Sequence, residues 1–215
     1  MTGNAGGNVV GAAGARDVVL GRIRAALERS PADPPPVPRG YRTAGEHPPG
    51  SEPVLRLFAE RLRDYKAAVH TVRADRVRDA IAEALPRGGR ILVPAGLPPE
   101  WTPPGAVVDA GFDAAALDGF DGVVTGCAAA AAETGTIALD GSPGQGRRAL
   151  SLVPDRHVCV VRAEQVVQTV PELLARLDPT RPLTLVSGPS ATSDIELQRV
   201  EGVHGPRTLI VILVS

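Results

Sequence analysis

Side chains that could bind or react with a ligand are concentrated between positions 187 and 206, in the segment SGPSATSDIELQRVEGVHGP. The candidate residues are Gly188, Ser190, Asp194, Glu196 and His204. Ser190 could cap a helix whose free N–H groups favour an anion, and glycine lets a backbone approach a ligand closely. In the alternative interpretation Ser190 is only an N-cap, Asp194 complements the helix dipole and His204 forms a turn hydrogen bond. The residue types alone do not decide between the two.

A second candidate site follows the alanine run at 128–132, where the chain continues as Glu133, Thr134, Gly135 and Thr136. Glu133 could bind a hydroxyl group or act as a general base. The alternative is an ordinary entry into a strand, with a buried glutamate that is satisfied by hydrogen bonds.

A glycine-rich loop comes next, since nine residues with three glycines separate Leu139 from the following apolar run. Asp140-Gly141 is typical of a hairpin, but the loop is longer than a tight hairpin needs. This length indicates either a binding loop or a disordered tip. Arg147 and Arg148 could hold a carboxylate or phosphate through two hydrogen bonds, or could be solvated loop residues.

The overall composition excludes several classes of function. A net charge of -1 gives no basic surface for nucleic acid, and no apolar run approaches the length of a membrane span. The two cysteines, Cys127 and Cys159, are far apart and cannot by themselves hold an iron–sulfur cluster or a structural zinc ion. We therefore expect a cytoplasmic protein that binds no metal and no cofactor of its own.

The chain is predicted to have three parts. Residues 1–15 are glycine, alanine and asparagine rich and are expected to be a disordered tail. Residues 16–51 contain an amphipathic helix, with Val19, Ile23 and Leu27 at helical spacing, and a proline-rich arm that cannot form a regular element. Residues 52–215 form the main domain.

Helical and strand patterns alternate in the main domain. Helices are predicted at 52–66, 75–85 and 163–177, with Pro171 in a first turn. Strands are predicted at AVHTV, RILVPAG, AVVD, DGVVTG, HVCVV, LTLVSG and TLIVILV. The last two are continuous apolar runs, which are expected of parallel strands covered on both faces. The predicted fold class is α/β, with a mostly parallel sheet covered by helices on both faces.

Four blocks carry a resemblance to a known family: GVVTG with AAAETGTIAL, then GRRALSLVPDRHVCVV, then SGPSATSDIELQRVEGVHGPRTLIVIL. Their order and spacing resemble the lactate utilization protein C family of the LUD superfamily. The resemblance implies a fold like that of ribose-5-phosphate isomerase and the CoA transferases. It also implies a role in oxidising L-lactate to pyruvate together with partner proteins that carry iron–sulfur clusters. The matching pocket positions are Glu133, Thr134, Gly135, Gly188, Pro189, Ser190, Asp194, Glu196, His204 and Gly205.

Two functions follow from these observations. The first is a non-redox subunit of an L-lactate-oxidising complex, which binds substrate or partner in the pocket. The second is a freestanding enzyme of the isomerase or CoA/acyl-transfer type with Glu133 as base or nucleophile. The catalytic candidates are Glu133, Asp194 and His204. The residues expected to bind substrate are Thr134, Gly135, Thr136, Arg147, Arg148, Gly188, Ser190 and Glu196, and the sequence does not decide whether Arg147 or Arg148 is the functional arginine.

Overall fold

The structure is a computed structural model that describes residues 14–28, 36–189, 191–192, 200–201 and 205–215. The chain divides into two units, Met1–Tyr41 and Arg42–Ser215. In the first unit, a helix spans Ala15–Leu27 and its predicted apolar stripe of Val19, Ile23 and Leu27 is exposed. Most of the tail predicted for 1–15 lies outside the described residues.

The bounds of the regular elements are as follows. The helices are α1 Ala15–Leu27, α2 Glu52–Asp64, α3 Val77–Ala84, α4 Ala114–Asp118 and α5 Val170–Ala175. The strands are β1 Ala68–Val72, β2 Ile91–Val93, β3 Val107–Val108, β4 Gly122–Thr125, β5 Ala129–Ala131, β6 Thr136–Leu139, β7 Arg156–Arg162, β8 Val166–Val167, β9 Thr184–Val186, β10 Ala191–Thr192, β11 Val200–Glu201 and β12 Thr208–Val214. No helix within the described ranges is long and apolar enough to cross a membrane.

A six-stranded sheet forms the centre of the second unit, in the order β1-β12-β7-β4-β2-β3. Every pairing in it is parallel. The interior residues of β7 and β12 are buried on both faces, which explains why their sequences are continuous apolar runs. The predicted α/β class with a parallel sheet is confirmed.

Helices cover both faces of this sheet. Val77 and Ile81 of α3 pack on one face with residues such as Val158, while Phe58 and Leu62 of α2 pack on the other. Leu117 of α4 lies on the α2 side, against β2 and β4. Complete burial of a side chain such as Phe58 or Leu62 contributes roughly 1.5–3 kcal/mol. In each helix the apolar residues lie at helical spacing, and this spacing turns them all towards the sheet.

A second sheet, in the order β8-β5-β6-β9, was not predicted from the sequence. Its strands β5 and β6 are antiparallel, and so are β6 and β9. Ala130 and Ile137 face the α2 side of the main core, whereas Ala129 and Ala131 pack towards Leu173 of α5. The alanine run allows this sheet to fit closely between the main core and α5, because its side chains occupy little space on either face.

The helix predicted over 163–177 is wrong in its first half. The chain forms a 3₁₀ turn at Ala163–Gln165 and then strand β8, which pairs with β5. The β-branched Val166 and Val167 suit this pairing, and helix α5 begins only after Thr169, whose side chain accepts a hydrogen bond from the N–H of Glu172. Pro171 lies in the first turn, as predicted.

The prediction of a covered parallel strand at LTLVSG is also wrong. Strand β9 lies at the edge of the second sheet, antiparallel to β6, and Leu185 is 53% exposed. An apolar run is thus compatible with an edge strand, because its length and hydrophobicity do not reveal which sheet it joins.

Candidate functional site

The predicted residue Glu133 lies in the turn between β5 and β6 and is bound on both carboxylate oxygens. It forms an ion pair with Arg42, and its other oxygen accepts a hydrogen bond from Gln168 Nε2 at 3.2 Å. The side-chain oxygen of Gln168 in turn accepts the N–H groups of Glu46 and His47 at 2.8 and 3.0 Å. Glu133 therefore takes part in attaching the segment that begins at Arg42 to the second sheet.

Two predicted glycines are required by close packing against α2. Gly135 has a φ of +58°, and a Cβ there would lie 3.0 Å from Arg61 Cβ and 3.1 Å from its carbonyl carbon. Gly188 has a φ of +88°, and a Cβ would lie 2.6 Å from Tyr65 Cβ. Both positions exclude a side chain through conformation and space, so their glycines need no ligand to explain them.

A chain of hydroxyl groups joins the two segments that the sequence analysis singled out. Thr134 Oγ1 lies 2.7 Å from Thr136 Oγ1, which lies 2.8 Å from Ser187 Oγ. Ser187 immediately precedes Gly188 at the end of β9. The structure thus brings Thr134, Thr136 and Gly188 together. The sequence analysis did not select Ser187, since nothing indicated that β9 pairs with β6.

A cavity of about 210 Å³ lies beside Ser187, at the amino ends of β7 and β12. It is lined by Ser151, Leu152, His157, Thr184, Leu185, Val186, Ser187, Gly188, Pro189, Gly205, Pro206 and Leu209. His157 is 1% exposed, and its Nε2 lies 2.7 Å from Thr125 Oγ1. Burial lowers the pKa of His157 to about 4, so the imidazole is neutral at neutral pH.

The two neighbouring arginines of the glycine-rich loop differ in their contacts. Arg147 donates to Asp109 through Nε at 2.7 Å and Nη2 at 3.0 Å, and also to the carbonyl of Phe112. These hydrogen bonds lower the pKa of Asp109. Arg148 is exposed, and its side chain forms no hydrogen bond or ion pair with another described residue. Arg148 is therefore the arginine with a guanidinium group available to a ligand.

Arg148 lines a second cavity of about 290 Å³. The other lining residues are Leu139, Asp140, Gly141, Gln145, Gly146, Arg147, Ser151, Arg181, Pro182 and Thr184. Ser151 and Thr184 line both cavities, so the two adjoin and form what we call the double cavity. Glu133 lines neither part of it.

Four predicted residues, Ser190, Asp194, Glu196 and His204, lie outside the described residues, and so does the helix predicted between them. On either side of that segment the backbone is described, and β10 pairs with β11 in antiparallel orientation. The connection between β9 and β12 therefore includes a two-stranded antiparallel ribbon that the sequence did not predict.

A third cavity, which we call the carboxyl-edge cleft, has a volume of about 120 Å³. It is lined by Gly96, Pro98, Trp101, Gly126, Cys127, Pro143, Gly144, Gln145, Arg162 and Gln165. The guanidinium carbon of Arg162 lies 4.9 Å from the ring centre of Trp101. This cleft was not predicted from the sequence, although Gly126 directly follows β4, Gly96 lies three residues after the end of β2, and the carboxyl ends of parallel strands are common ligand sites.

The described residues contain no group of three or more His, Cys, Asp or Glu side chains that could hold a metal ion. Cys127 and Cys159 are both buried, and neither forms a disulfide. The neighbouring Cys159 thiol and burial raise the pKa of Cys127, so this cysteine is a neutral thiol rather than a thiolate nucleophile.

The chain is similar to several known proteins and to one domain family. Residues 114–214 match the LUD domain. Lactate utilization protein C of Deinococcus radiodurans is 53% identical over 169 residues, which cover 75% of this chain and 80% of that protein. Lactate utilization protein C of Bacillus pumilus is 36% identical over 92 residues, 39% of this chain and 38% of that protein. The crystal structure of a DUF162 family protein from Deinococcus radiodurans is 44% identical, with a TM-score of 0.65 over 76% of this chain and 97% of that one.

The parallel sheet, the second sheet packed on α2 and the matched segment define an α/β protein with a LUD domain. Within that class, the chain belongs to the lactate utilization protein C family, because it is 53% identical to the Deinococcus relative over most of the length of both chains. The resemblance stated from the four sequence blocks is confirmed.

Proposed function

We propose that this protein is a subunit of an L-lactate utilization system and acts in the oxidation of L-lactate to pyruvate with iron–sulfur partner proteins. The observation that carries the proposal is the 53% identity to a protein named lactate utilization protein C. The growth phenotype described below tests it directly.

The proposed division of labour follows from the cysteine content. A typical iron–sulfur cluster takes four cysteine thiolates, and the sequence has two cysteines in all. In this proposal the electrons pass through clusters on the partners, while this chain binds the substrate or a partner group.

We place that binding function in the double cavity. Arg148 supplies a guanidinium group suited to a carboxylate, and the hydroxyl groups of Ser151, Thr184 and Ser187 supply hydrogen bonds. The neutral imidazole of His157 also lines the double cavity. The participation of Ser190, Asp194, Glu196 and His204 remains a prediction from the sequence.

The alternative, a freestanding isomerase or CoA/acyl-transfer enzyme with Glu133 as base or nucleophile, requires a carboxylate that can reach a ligand. In the structure Arg42 and Gln168 bind both of its oxygens. These contacts support the interpretation of Glu133 as a tether over its interpretation as a base.

The test is a deletion of the gene followed by growth on L-lactate or on pyruvate as sole carbon source. We expect impaired growth on L-lactate and normal growth on pyruvate, because the proposed step lies between the two. Equal growth on both, in a strain without another lactate dehydrogenase, would contradict the proposal.

Complementation with variants then tests the site. Arg148→Gln should restore growth on L-lactate poorly while the protein stays folded. The control Arg87→Gln, at an exposed arginine outside the cavities described above, should restore it fully. Glu133→Gln should also restore growth if Glu133 is a tether. Its failure to do so with an unchanged melting temperature would favour the enzyme alternative.

A further inference from the structure

The carboxyl-edge cleft occupies the position in the sheet where α/β proteins most often bind ligands. From β2 the chain proceeds to β3 on one side, whereas from β4 it proceeds to the second sheet and then to β7 on the other side. The neighbouring strands β2 and β4 therefore form a topological switch point. The cleft lies beyond their carboxyl ends and is bounded on its other side by Pro143 and Gly144 of the glycine-rich loop. Gly96 follows β2, Gly126 follows β4, and both line the cleft.

Arg162 supplies the cleft with a positive charge in a fixed position. Its guanidinium group is stacked on Trp101, and it forms no ion pair with a carboxylate of a described residue. The backbone N–H of Arg162 donates to Gln165 Oε1 at 2.9 Å, and Gln165 Nε2 donates to the carbonyl of Cys127 at 2.7 Å. Gln165 thus ties the end of β7 to the end of β4, on either side of the cleft.

The lining also includes the side-chain amides of Gln145 and Gln165 and several backbone N–H groups. The N–H groups of Gly96 and Cys127 have no acceptor among the described residues, and both residues line the cleft. A guanidinium group with nearby N–H groups and an aromatic wall is suited to an anion that carries one negative charge and a short apolar part.

The size of the cleft restricts that anion further. A volume of about 120 Å³ corresponds to about four water molecules and lies far below the roughly 300–1,000 Å³ of sites for drug-sized ligands. The cleft is too small to enclose a nucleotide or an acyl-CoA, whereas it can enclose an acid of three carbon atoms.

We propose that the carboxyl-edge cleft is a second binding site, distinct from the double cavity, for a small monocarboxylate whose carboxylate contacts Arg162. The choice of L-lactate and pyruvate as ligands rests on the proposed function, whereas the class of small monocarboxylates rests on the cleft itself. This site is separate from the cavity at His157, which lies about 16 Å away along β7, at the opposite end of the strand.

The fluorescence of Trp101 provides a direct assay, because the chain has a single tryptophan and it lines the cleft. The purified full chain is titrated with L-lactate, pyruvate, acetate and inorganic phosphate at constant ionic strength. We expect a saturable change in emission with L-lactate or pyruvate and a much weaker response to phosphate. Arg162→Gln should weaken binding by about tenfold to a hundredfold, the loss expected when one charge-assisted hydrogen bond is removed.

Arg90→Gln is the matched control. Arg90 also stacks on an aromatic ring, with its guanidinium carbon 4.6 Å from the centre of Phe120, but it lies before β2 and outside the cleft. This variant should bind the acids as the unmodified chain does. Because the emission of Trp101 itself changes when Arg162 is replaced, affinities are compared, not intensities.

Three outcomes overturn the inference: no saturable response to any of the acids, equal affinity in Arg162→Gln, or phosphate binding as tight as that of the acids. The binding titration tests the cleft independently of the growth phenotype of the deletion strain. A deletion strain that grows normally on L-lactate would refute the proposed function, while Arg162-dependent binding of small acids would still establish the cleft as a monocarboxylate site.

Discussion

Replacement of Asp109 by asparagine tests how the loop at 140–148 is held over the carboxyl edge of the sheet. Asp109 follows β3, and its carboxylate receives two hydrogen bonds from Arg147 at 2.7 and 3.0 Å. The carboxylate side chain is 11% exposed and that of Arg147 is 40% exposed. This pair is thus partly withdrawn from water, and it connects the loop to a different strand of the sheet.

The expected cost follows from that geometry. Hydrogen bonds to charged groups contribute about 1.5–3 kcal/mol, and solvent-exposed ion pairs about 0–1 kcal/mol. For a half-exposed arginine on a mostly covered carboxylate we expect Asp109→Asn to lower the free energy of unfolding by about 1–2 kcal/mol. In a chain of this size that corresponds to a fall of about 2–8 °C in melting temperature.

The assay is a double-mutant cycle with Asp109→Asn, Arg147→Gln and the double variant, measured by urea unfolding. The exposed pair of Asp155 and Arg207 serves as the control, since its two hydrogen bonds are as short, at 2.6 and 2.9 Å, but its side chains are 51% and 65% exposed. We expect a coupling energy of about 1 kcal/mol or more for the first pair and less for the second. Equal coupling in the two pairs would refute the argument from burial.

The same pair predicts a dependence on pH. The hydrogen bonds from Arg147 hold the pKa of Asp109 below its value in the unfolded chain, about 3.9. The stabilisation is therefore complete above that value and is lost as the pH falls through the lower pKa of the folded state. The stability difference between the unmodified chain and Asp109→Asn should be constant from pH 7 down to about 4 and then shrink.

Three further predictions concern other parts of the molecule. Burial lowers the pKa of His157 to about 4, so as the pH falls from about 6.5 this histidine is protonated in the unfolded chain before it is protonated in the folded one. The unmodified chain should therefore lose up to about 3 kcal/mol of stability between about pH 6.5 and 4 through this residue. His157→Gln should abolish that loss, as measured by urea unfolding. Gly188→Ala should lower the free energy of unfolding by about 1–3 kcal/mol more than Gly88→Ala does. Both glycines have a positive φ, but only at Gly188 would a Cβ lie 2.6 Å from Tyr65. Equal losses of stability in the two variants would show that the residues around Gly188 can move to accommodate the methyl group. Elemental analysis of the purified chain should find no stoichiometric iron or zinc, and one metal per chain would refute this expectation.

The parallel sheet could be predicted because its strands are set apart in the sequence by helical patterns and are apolar on both faces. Strand β9 could not be assigned, since Leu185 is as apolar as a core residue and only the pairing with β6 shows that it lies at an edge. The helix predicted from 163 contained residues at helical spacing, but Val166 and Val167 gain main-chain hydrogen bonds with β5 that no local pattern reveals.

For the candidate site, the sequence shows the residue types but not the contacts between them. Thr134, Thr136 and the segment at Gly188 do meet, yet the link runs through Ser187, which a sequence pattern cannot distinguish from any strand-end serine. Between Arg147 and Arg148 the choice depends on Asp109, a residue 38 positions away from Arg147 along the chain. Long-range partners of this kind determine which charged groups remain available to a ligand.

The order of strands in the main sheet has a consequence for biosynthesis. Strand β1 pairs with β12, and Ala68 has Ile210 as its partner about 140 residues later. At synthesis rates of roughly 5–20 residues per second, β1 leaves the ribosome about 7–30 s before the strand it needs. During that time the apolar face of α2 has no complete sheet to cover, and apolar surface exposed in this way favours aggregation. A premature stop codon just before Thr208 would remove a central strand and therefore abolish folding, although it deletes only a few residues.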